Sequence, residues 1–169
     1  MSNQKNTETE YKYLISYPDL HILNDQEKCR IVDIEQTYLI SESPYTSRVR
    51  SWTECGDTHF FYTRKKRISN QTAEEHETEI SKEEYIQLLT HADKTRSTII
   101  KRRFIIPFKG HYMEIDIYPF WTKQAVLEVE ISKEDEYVEI PPYVTILKDV
   151  TGDKQYKNYS LALYQPSET

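Results

Sequence analysis

The sequence predicts a β-dominated domain of about eight antiparallel strands with a few flanking helices. Three observations predict it. Runs rich in β-branched and aromatic residues alternate apolar with charged positions at period two. The 169 residues include 14 Tyr and 5 Phe but only 3 Gly, a balance that suits pleated sheet. Turn signals at Ser43-Pro44, Cys55-Gly56-Asp57, Ser69-Asn70 and Lys109-Gly110 separate several runs at hairpin length, which favours antiparallel pairing.

Taken in order, residues 1–7 form a polar lead. Strands are expected over residues 8–15, 30–40, 46–53, 58–67, 73–80, 96–106, 111–118 and 125–131. Ser81-Lys82-Glu83-Glu84 is a capping box that opens a helix running to about His91. Ser132 and Asp135 mark the start of a short helix that stops before Pro141-Pro142, and a last short helix covers Asn158 to Leu163.

The length suits one domain, residues 1–169, with a sizeable core. Although 30% of residues are charged and the mean hydropathy is -0.77, the aromatic content excludes a disordered chain. A net charge of -6 argues against a general nucleic-acid binder but not against a small polyanionic ligand held in a local field. Cys29 and Cys55 have no disulfide or zinc pattern, and the five His lack ligand spacing. The N-terminus has no apolar leader and no apolar run approaches a membrane span, so a cytoplasmic protein with no membrane partner is expected.

The charged positions carry the functional signal. Side chains two apart on a strand share a face, so Glu8, Glu10 and Lys12 line one face within about 13 Å. The same spacing recurs in Arg48-x-Arg50, Lys65-x-Arg67, Lys94-x-Arg96, Glu114-x-Asp116 and Glu128-x-Glu130. Two architectures satisfy the pattern. An open sheet would bury its apolar face and leave its charges in water as cross-strand pairs. A closed barrel of eight strands would turn the charges into a wet lumen wide enough for one small ligand.

The acidic set is Glu8, Glu10, Asp116, Glu128 and Glu130, with Glu114 beside it. Oxygen-only donors select hard cations such as Mg²⁺, Mn²⁺ or Ca²⁺. The basic set is Lys12, Arg48, Arg50, Lys65, Lys94, Arg96, Lys154 and Lys157, suited to a ligand with several phosphates. Glu75, Glu77 and Glu79 read as a solvated or salt-bridging row. Arg64, Lys66, Lys101 and Arg102 read as solvated basic patches. Neither common Gly-rich phosphate loop is present, so phosphate would be held by side chains.

These motifs, in this order, resemble the CYTH superfamily, the triphosphate tunnel metalloenzymes. Glu8-Thr9-Glu10-Tyr11-Lys12 resembles its E-x-E-x-K signature, Gln36-Thr37-Tyr38-Leu39 its Q-x-Y-L strand, and Arg48-Val49-Arg50 its R-x-R. Thr63-Arg64-Lys65 resembles T-x-K, Glu75-His76-Glu77 E-x-E, and Lys94-Thr95-Arg96 K-x-R. Glu114-Ile115-Asp116, Leu127-Glu128-Val129-Glu130 and Asp153-Lys154-Gln155-Tyr156-Lys157-Asn158 resemble the later motifs. The chain departs from the pattern at Ala73, where many relatives place Arg, and in the Gly-free stretch Lys66–Thr72.

The resemblance implies an eight-stranded closed antiparallel β-barrel with a charged lumen and a hydrolase of phosphoanhydrides that needs Mg²⁺ or Mn²⁺. It implies Glu8, Glu10, Asp116, Glu128 and Glu130 as metal ligands. Arg48, Arg50, Lys65, Lys94, Arg96 and Lys154 would bind phosphate, with Lys12 and Tyr38 beside the reacting group. The leading substrate is inorganic triphosphate. Thiamine and nucleoside triphosphates, long polyphosphate, cyclisation of ATP, and polyphosphate binding without turnover are the alternatives. A closed barrel has no free edge, so any homodimer would use loops or helices.

Overall fold

The computed structural model describes residues 6–168, so most of the polar lead and Thr169 lie outside the described residues. Among the described residues there are nine strands: β1 (Thr7–Ser16), β2 (Arg30–Leu39), β3 (Tyr45–Glu54), β4 (Asp57–Arg67), β5 (Thr72–Ile80), β6 (Ile99–Phe108), β7 (His111–Ile117), β8 (Gln124–Glu130) and β9 (Ile146–Asp149). All pairings are antiparallel, in the order β5-β4-β3-β2-β6-β7-β8-β1. Pairing of β1 with β5, Thr7 to Thr9 against Glu74 to Thr72, closes the eight strands into a barrel. A Thr9–Thr72 hydroxyl hydrogen bond of 3.0 Å ties this short seam. Beyond it, β9 pairs Tyr13 to Ile15 on the same edge of β1.

Eight strands were legible from alternation; β9 was not, because four exposed residues after a Pro-rich stretch carry no period. The sixth strand starts at Ile99, not residue 96, which leaves Lys94 to Ser97 in a loop. Two hairpins turn on residue pairs with positive φ, Cys55-Gly56 (51° and 83°) and Lys109-Gly110 (47° and 83°). Both central residues are left-handed, as the twist of a tight hairpin demands. Because the strands alternate in direction, both hairpins sit at one end of the barrel. The β2–β3 loop with Pro44 and the β4–β5 turn sit at the other. The two are called below the hairpin end and the loop end.

Helix α1 (Leu20–Asn24) is capped by Asp19 and is too short to show a helical period in sequence. Helix α2 (Lys82–Leu89) has the expected capping box: Ser81 Oγ accepts from the Glu84 N–H and Glu84 accepts from the Ser81 N–H. The C-terminal helix α3 covers Asn158–Leu161, preceded by a 3₁₀ turn over Lys154–Tyr156. No helix forms at Ser132–Asp135. Asp135 is left-handed (φ 61°), and Gln71 brackets it with two 2.9 Å hydrogen bonds, so this segment is tied across to the β4–β5 turn.

The alternating strands split the molecule into a polar lumen and an apolar exterior layer. Outward-facing Ile15, Phe104, Ile106, Met113, Ile115, Leu127 and Val129 pack with Leu23 of α1 and Val144. Tyr85 of α2 covers Leu39 and Val49, its ring 4.7 Å from Phe60. Two apolar clusters bound the lumen. Leu14, Tyr38, Ile99, Tyr118 and Val126 meet Tyr156 and Leu161 of the C-terminal segment, and Val32, Ile34 and Ile105 meet Trp52. Among the described residues no helix is long and apolar enough to cross a membrane. Leu127 is fully buried in the exterior layer. Leu127→Ala should lower unfolding stability by about 2–5 kcal/mol, read as a lower denaturant midpoint at unchanged slope.

Candidate functional site

The barrel encloses a cavity of about 560 Å³. Each strand contributes side chains from its inward face: Glu8, Glu10 and Lys12 from β1, Tyr38 from β2, Arg48 and Arg50 from β3, and Lys65 and Arg67 from β4. Glu75 and Glu77 come from β5, Lys101 and Arg103 from β6, Glu114 from β7, and Glu128 and Glu130 from β8. The C-terminal segment adds Lys154, Lys157 and Tyr159. Carboxylates come from β5, β1, β8 and β7, which adjoin one another across the seam, and guanidinium and ammonium groups come mainly from β6, β3 and β4. An acidic wall therefore faces a basic one.

The structure brings together Glu8, Glu10, Glu128, Glu130, Lys12, Tyr38, Arg48, Arg50, Lys65 and Lys154. It does not bring Lys94 and Arg96 to the lumen, because neither stands on a strand. Lys94 is exposed. Arg96 stacks 3.5 Å over the Tyr159 ring, donates to the Tyr159 carbonyl (2.5 Å) and pairs with Asp93. The inward basic pair is Lys101-x-Arg103, seven residues on. Lys101 is 3% exposed, so it is no solvated patch. Burial pushes its ammonium down to about 8 against the pull of Asp116. The signal for this pair was its i, i+2 spacing inside an apolar run.

Asp116 also differs from expectation. It is fully buried and does not line the cavity. Its carboxylate accepts from Lys101 Nζ (2.7 Å), Arg103 Nε (2.7 Å) and Arg103 Nη2 (2.9 Å), so it holds two cations in place. Arg103 then reaches Glu114 (2.6 Å) and Glu128 (3.3 Å), and Lys12 reaches Glu128 (3.1 Å). Lys65 pairs with Glu8 and with Glu75 (3.3 Å), and Arg50 with Glu77 (3.0 Å). Glu75 and Glu77 thus salt-bridge, as their spacing suggested, but do so in the lumen.

Pairing is incomplete in a directed way. Burial raises the Glu8 carboxyl, but Lys65 outweighs it and holds it at about 2. Burial, then Glu128 and Glu8, push Glu10 up to about 8. Glu10 has no ion-pair partner among the described residues. On the other wall the Nε atoms of Arg48 and Arg50 are buried without a hydrogen-bond partner. Burial, then Arg67, Lys12 and Lys65, push the Lys157 ammonium down to about 7. The lumen therefore holds a carboxyl whose pKa is raised and an ammonium whose pKa is lowered, beside guanidinium donors without a hydrogen-bond partner.

Among the described residues no three acidic, His or Cys groups already converge as a coordination sphere. Lysine and arginine heads separate the carboxylates. The donor chemistry nevertheless fits a hard cation: every candidate is a carboxylate oxygen, and Glu10 is held among like charges.

Removing one partner of a buried ion network leaves uncompensated charge. Asp116→Ala should lose about 3–5 kcal/mol of stability in urea titration. Asp116→Asn, which keeps the shape, should lose less.

No family model matches the chain, and no curated protein matches it. Solved structures do. The chain is similar to the inorganic triphosphatase NE1496, at 27% identity over 95% of this chain and 97% of that one, TM-score 0.57. It is similar in fold to the PH1819 protein of Pyrococcus horikoshii OT3, at 20% identity over 76% of this chain and 80% of that one, TM-score 0.57. HpAC1 from Hippeastrum, whose dominant activity is that of a triphosphatase, shares the fold at 15% identity over 75% of this chain and 80% of that one, TM-score 0.52. With a closed eight-stranded tunnel, inward E-x-E and R-x-R pairs and a near full-length likeness to NE1496, the chain has the triphosphate-tunnel fold of the CYTH proteins.

Proposed function

We propose that this protein hydrolyses the terminal phosphoanhydride of a triphosphate, with inorganic triphosphate as the substrate and Mg²⁺ or Mn²⁺ as the required ion. The observation that supports the reading is the cavity that holds a raised Glu10 carboxyl, a depressed Lys157 ammonium and Arg48 and Arg50 Nε donors without a hydrogen-bond partner. A ligand of dense negative charge bound with a divalent cation neutralises both walls. A neutral or monoanionic ligand neutralises neither.

Glu8, Glu10, Glu128 and Glu130 would hold the cation, which supplies Lewis-acid neutralisation of phosphate oxygens when bound. Arg48 and Arg50 point unsatisfied Nε donors into the lumen, and Arg forks grip phosphate oxygens in two directions. Lys101 and Arg103 are braced from behind by Asp116, so their heads are fixed before substrate arrives. Lys65, Lys154 and Lys157 add point charges. Phosphoryl transfer depends mainly on positioning and charge stabilisation, which rigid strands supply without reorganisation. Lys12 sits between Glu128 and the phosphate-facing cations and keeps its proton: burial lowers its pKa, but Glu128 and Glu10 raise it further. It therefore acts as a charge, not as a base. Tyr38 accepts from Gln36 Nε2 (2.8 Å) and lines the lumen beside Arg48, which suits orientation of a phosphate.

A panel of tripolyphosphate, long polyphosphate, ATP, GTP and thiamine triphosphate, each with Mg²⁺ and with Mn²⁺, tests the reading. Metal-dependent orthophosphate release should be highest with tripolyphosphate, and Glu10→Gln should lower it at least about 100-fold while the far-UV spectrum stays unchanged. Wild-type turnover in that variant removes Glu10 from the site, and cyclic AMP as the main product of ATP would replace hydrolysis with cyclisation.

Lys157 gives a pH signature. Its ammonium is depressed to about 7 in the free lumen and rises when a polyanion binds. At pH above about 7 the free lysine is partly neutral, so metal-free binding of tripolyphosphate takes up a proton. Affinity should then weaken as pH rises from 7 to 8, by up to about tenfold per unit. Calorimetry in buffers of different ionisation enthalpy reads the uptake, and Lys157→Met should reduce it.

A further inference from the structure

At the loop end, the connection between α2 and β6 ties the close of β2 to the C-terminal segment. The Asp93 N–H donates to the Tyr38 carbonyl (2.9 Å), and the Ser97 N–H donates to the Ala162 carbonyl (2.7 Å). Thr37 and Thr98 share a hydroxyl hydrogen bond of 2.8 Å. Arg96 stands between these ties and is half-buried. Its guanidinium carbon lies 3.5 Å from the centre of the Tyr159 ring, its Nη1 donates to the Tyr159 carbonyl (2.5 Å), and its Nε lies 3.5 Å from Asp93 Oδ2. Asp93 is itself fixed, since its Oδ1 accepts from the Thr95 N–H (3.0 Å) and the Thr95 hydroxyl (2.6 Å). The Tyr159 ring in turn meets the Tyr38 ring edge to face, with centres 5.1 Å apart and planes at 79°.

Helix α3 has four residues, and its N-cap Lys157 makes no side-chain cap hydrogen bond. A helix so short does not hold itself, so its seat is set by what it touches. Tyr118 Oη donates to Asn158 Oδ1 (2.6 Å) and fixes the first residue. The second is left to Arg96: the Leu163 N–H turns to the Ser160 carbonyl (3.0 Å), and the Tyr159 carbonyl takes the guanidinium instead. A cation at the C-terminal side of a helix is also favoured by its dipole. Lys157, Asn158, Tyr159 and Ser160 all line the lumen, so the seat of α3 decides where they stand. Resting on the phosphate-binding reading of the lumen above, we propose that Arg96 is a positioning residue for that site: from outside the lumen it seats α3 through the Tyr159 ring and carbonyl, and so sets where Lys157 meets a bound phosphate chain. The face, the Nη1 and the Nε of its guanidinium are all turned to Tyr159 and Asp93. Its charge therefore acts on the ligand only through the residues that it holds.

The test measures the affinity of the intact protein for tripolyphosphate by calorimetry without metal, which separates binding from turnover. Arg96→Met should weaken binding about tenfold. Two double-mutant cycles then distinguish positioning from a general loss of structure. Lys157→Met should weaken binding in wild type but by less than about twofold on the Arg96→Met background, where the ammonium it removes is already misplaced. Arg50→Ala, on β3 nearer the hairpin end, should cost the same factor on both backgrounds. If Arg96→Met does not fold, Arg96→Lys, which keeps a cation near the ring, enters the same cycles with smaller factors. Wild-type affinity in the Arg96 variant overturns the proposal. So do factors that multiply in the Lys157 cycle, or that fall equally short of multiplying in both cycles. Absence of phosphate release from wild type with Mg²⁺ or Mn²⁺ overturns the hydrolase reading alone, because the cycles need no turnover. Absence of tripolyphosphate binding overturns both.

Discussion

A sheet that turns its charged face inward must neutralise that face inside its own lumen. Water cannot do so fully in an enclosed space of this size, and isolated buried ions are too unfavourable to persist. The ladder of ion pairs from Lys101 through Asp116, Arg103 and Glu128 to Lys12 is the response. It runs across β6, β7, β8 and β1, so the register of four strands and the electrostatics of the lumen are one constraint. A one-residue slip of any of them would send its charges to the apolar exterior and its Leu, Ile and Val into the lumen.

That constraint explains the position of the hydrophobic core. With the interior given to charge, apolar burial has to happen outside the barrel, under α1, α2 and the C-terminal third of the chain. It also happens at the margins of the lumen, where aromatic and branched side chains limit the entry of solvent. The helices are short because each needs to cover only a patch of strand surface. The seam between β1 and β5 is short for a related reason. The outer edge of β1 is shared, first with β5, then with the Gln71 carbonyl, then with Thr151 and β9.

Most of the fold was legible because period two is a local signal, visible in any five residues of a strand. What failed was whatever depended on where a strand begins. Lys94-x-Arg96 and Lys101-x-Arg103 have the same spacing and chemistry, and only the start of β6 at Ile99 decides which pair faces inward. The run over residues 96–106 hid that boundary, since Thr98 reads as strand and Lys101 beside Arg102 and Arg103 reads as a surface patch. Asp116 failed differently. Its inward position was correct, but spacing says nothing about whether a carboxylate is already engaged, and two cations from the neighbouring strand occupy it. Glu75 and Glu77 could be placed only once β5 was known to meet β1.

Complete neutralisation would give the most stable barrel and an inert one. Had Glu10 a lysine of its own, the lumen would be closer to a closed salt lattice. The chain instead concentrates its satisfied pairs on β6, β7 and β8 and leaves the deficit at Glu10 and Lys157. Both line one cavity, so a deficit of each sign opens onto the same space. Under the proposed function, stability forgone in the empty protein would return as affinity for a ligand that brings both charges. The selectivity of such a site therefore depends on the placement of the missing partners as much as on the groups that are present.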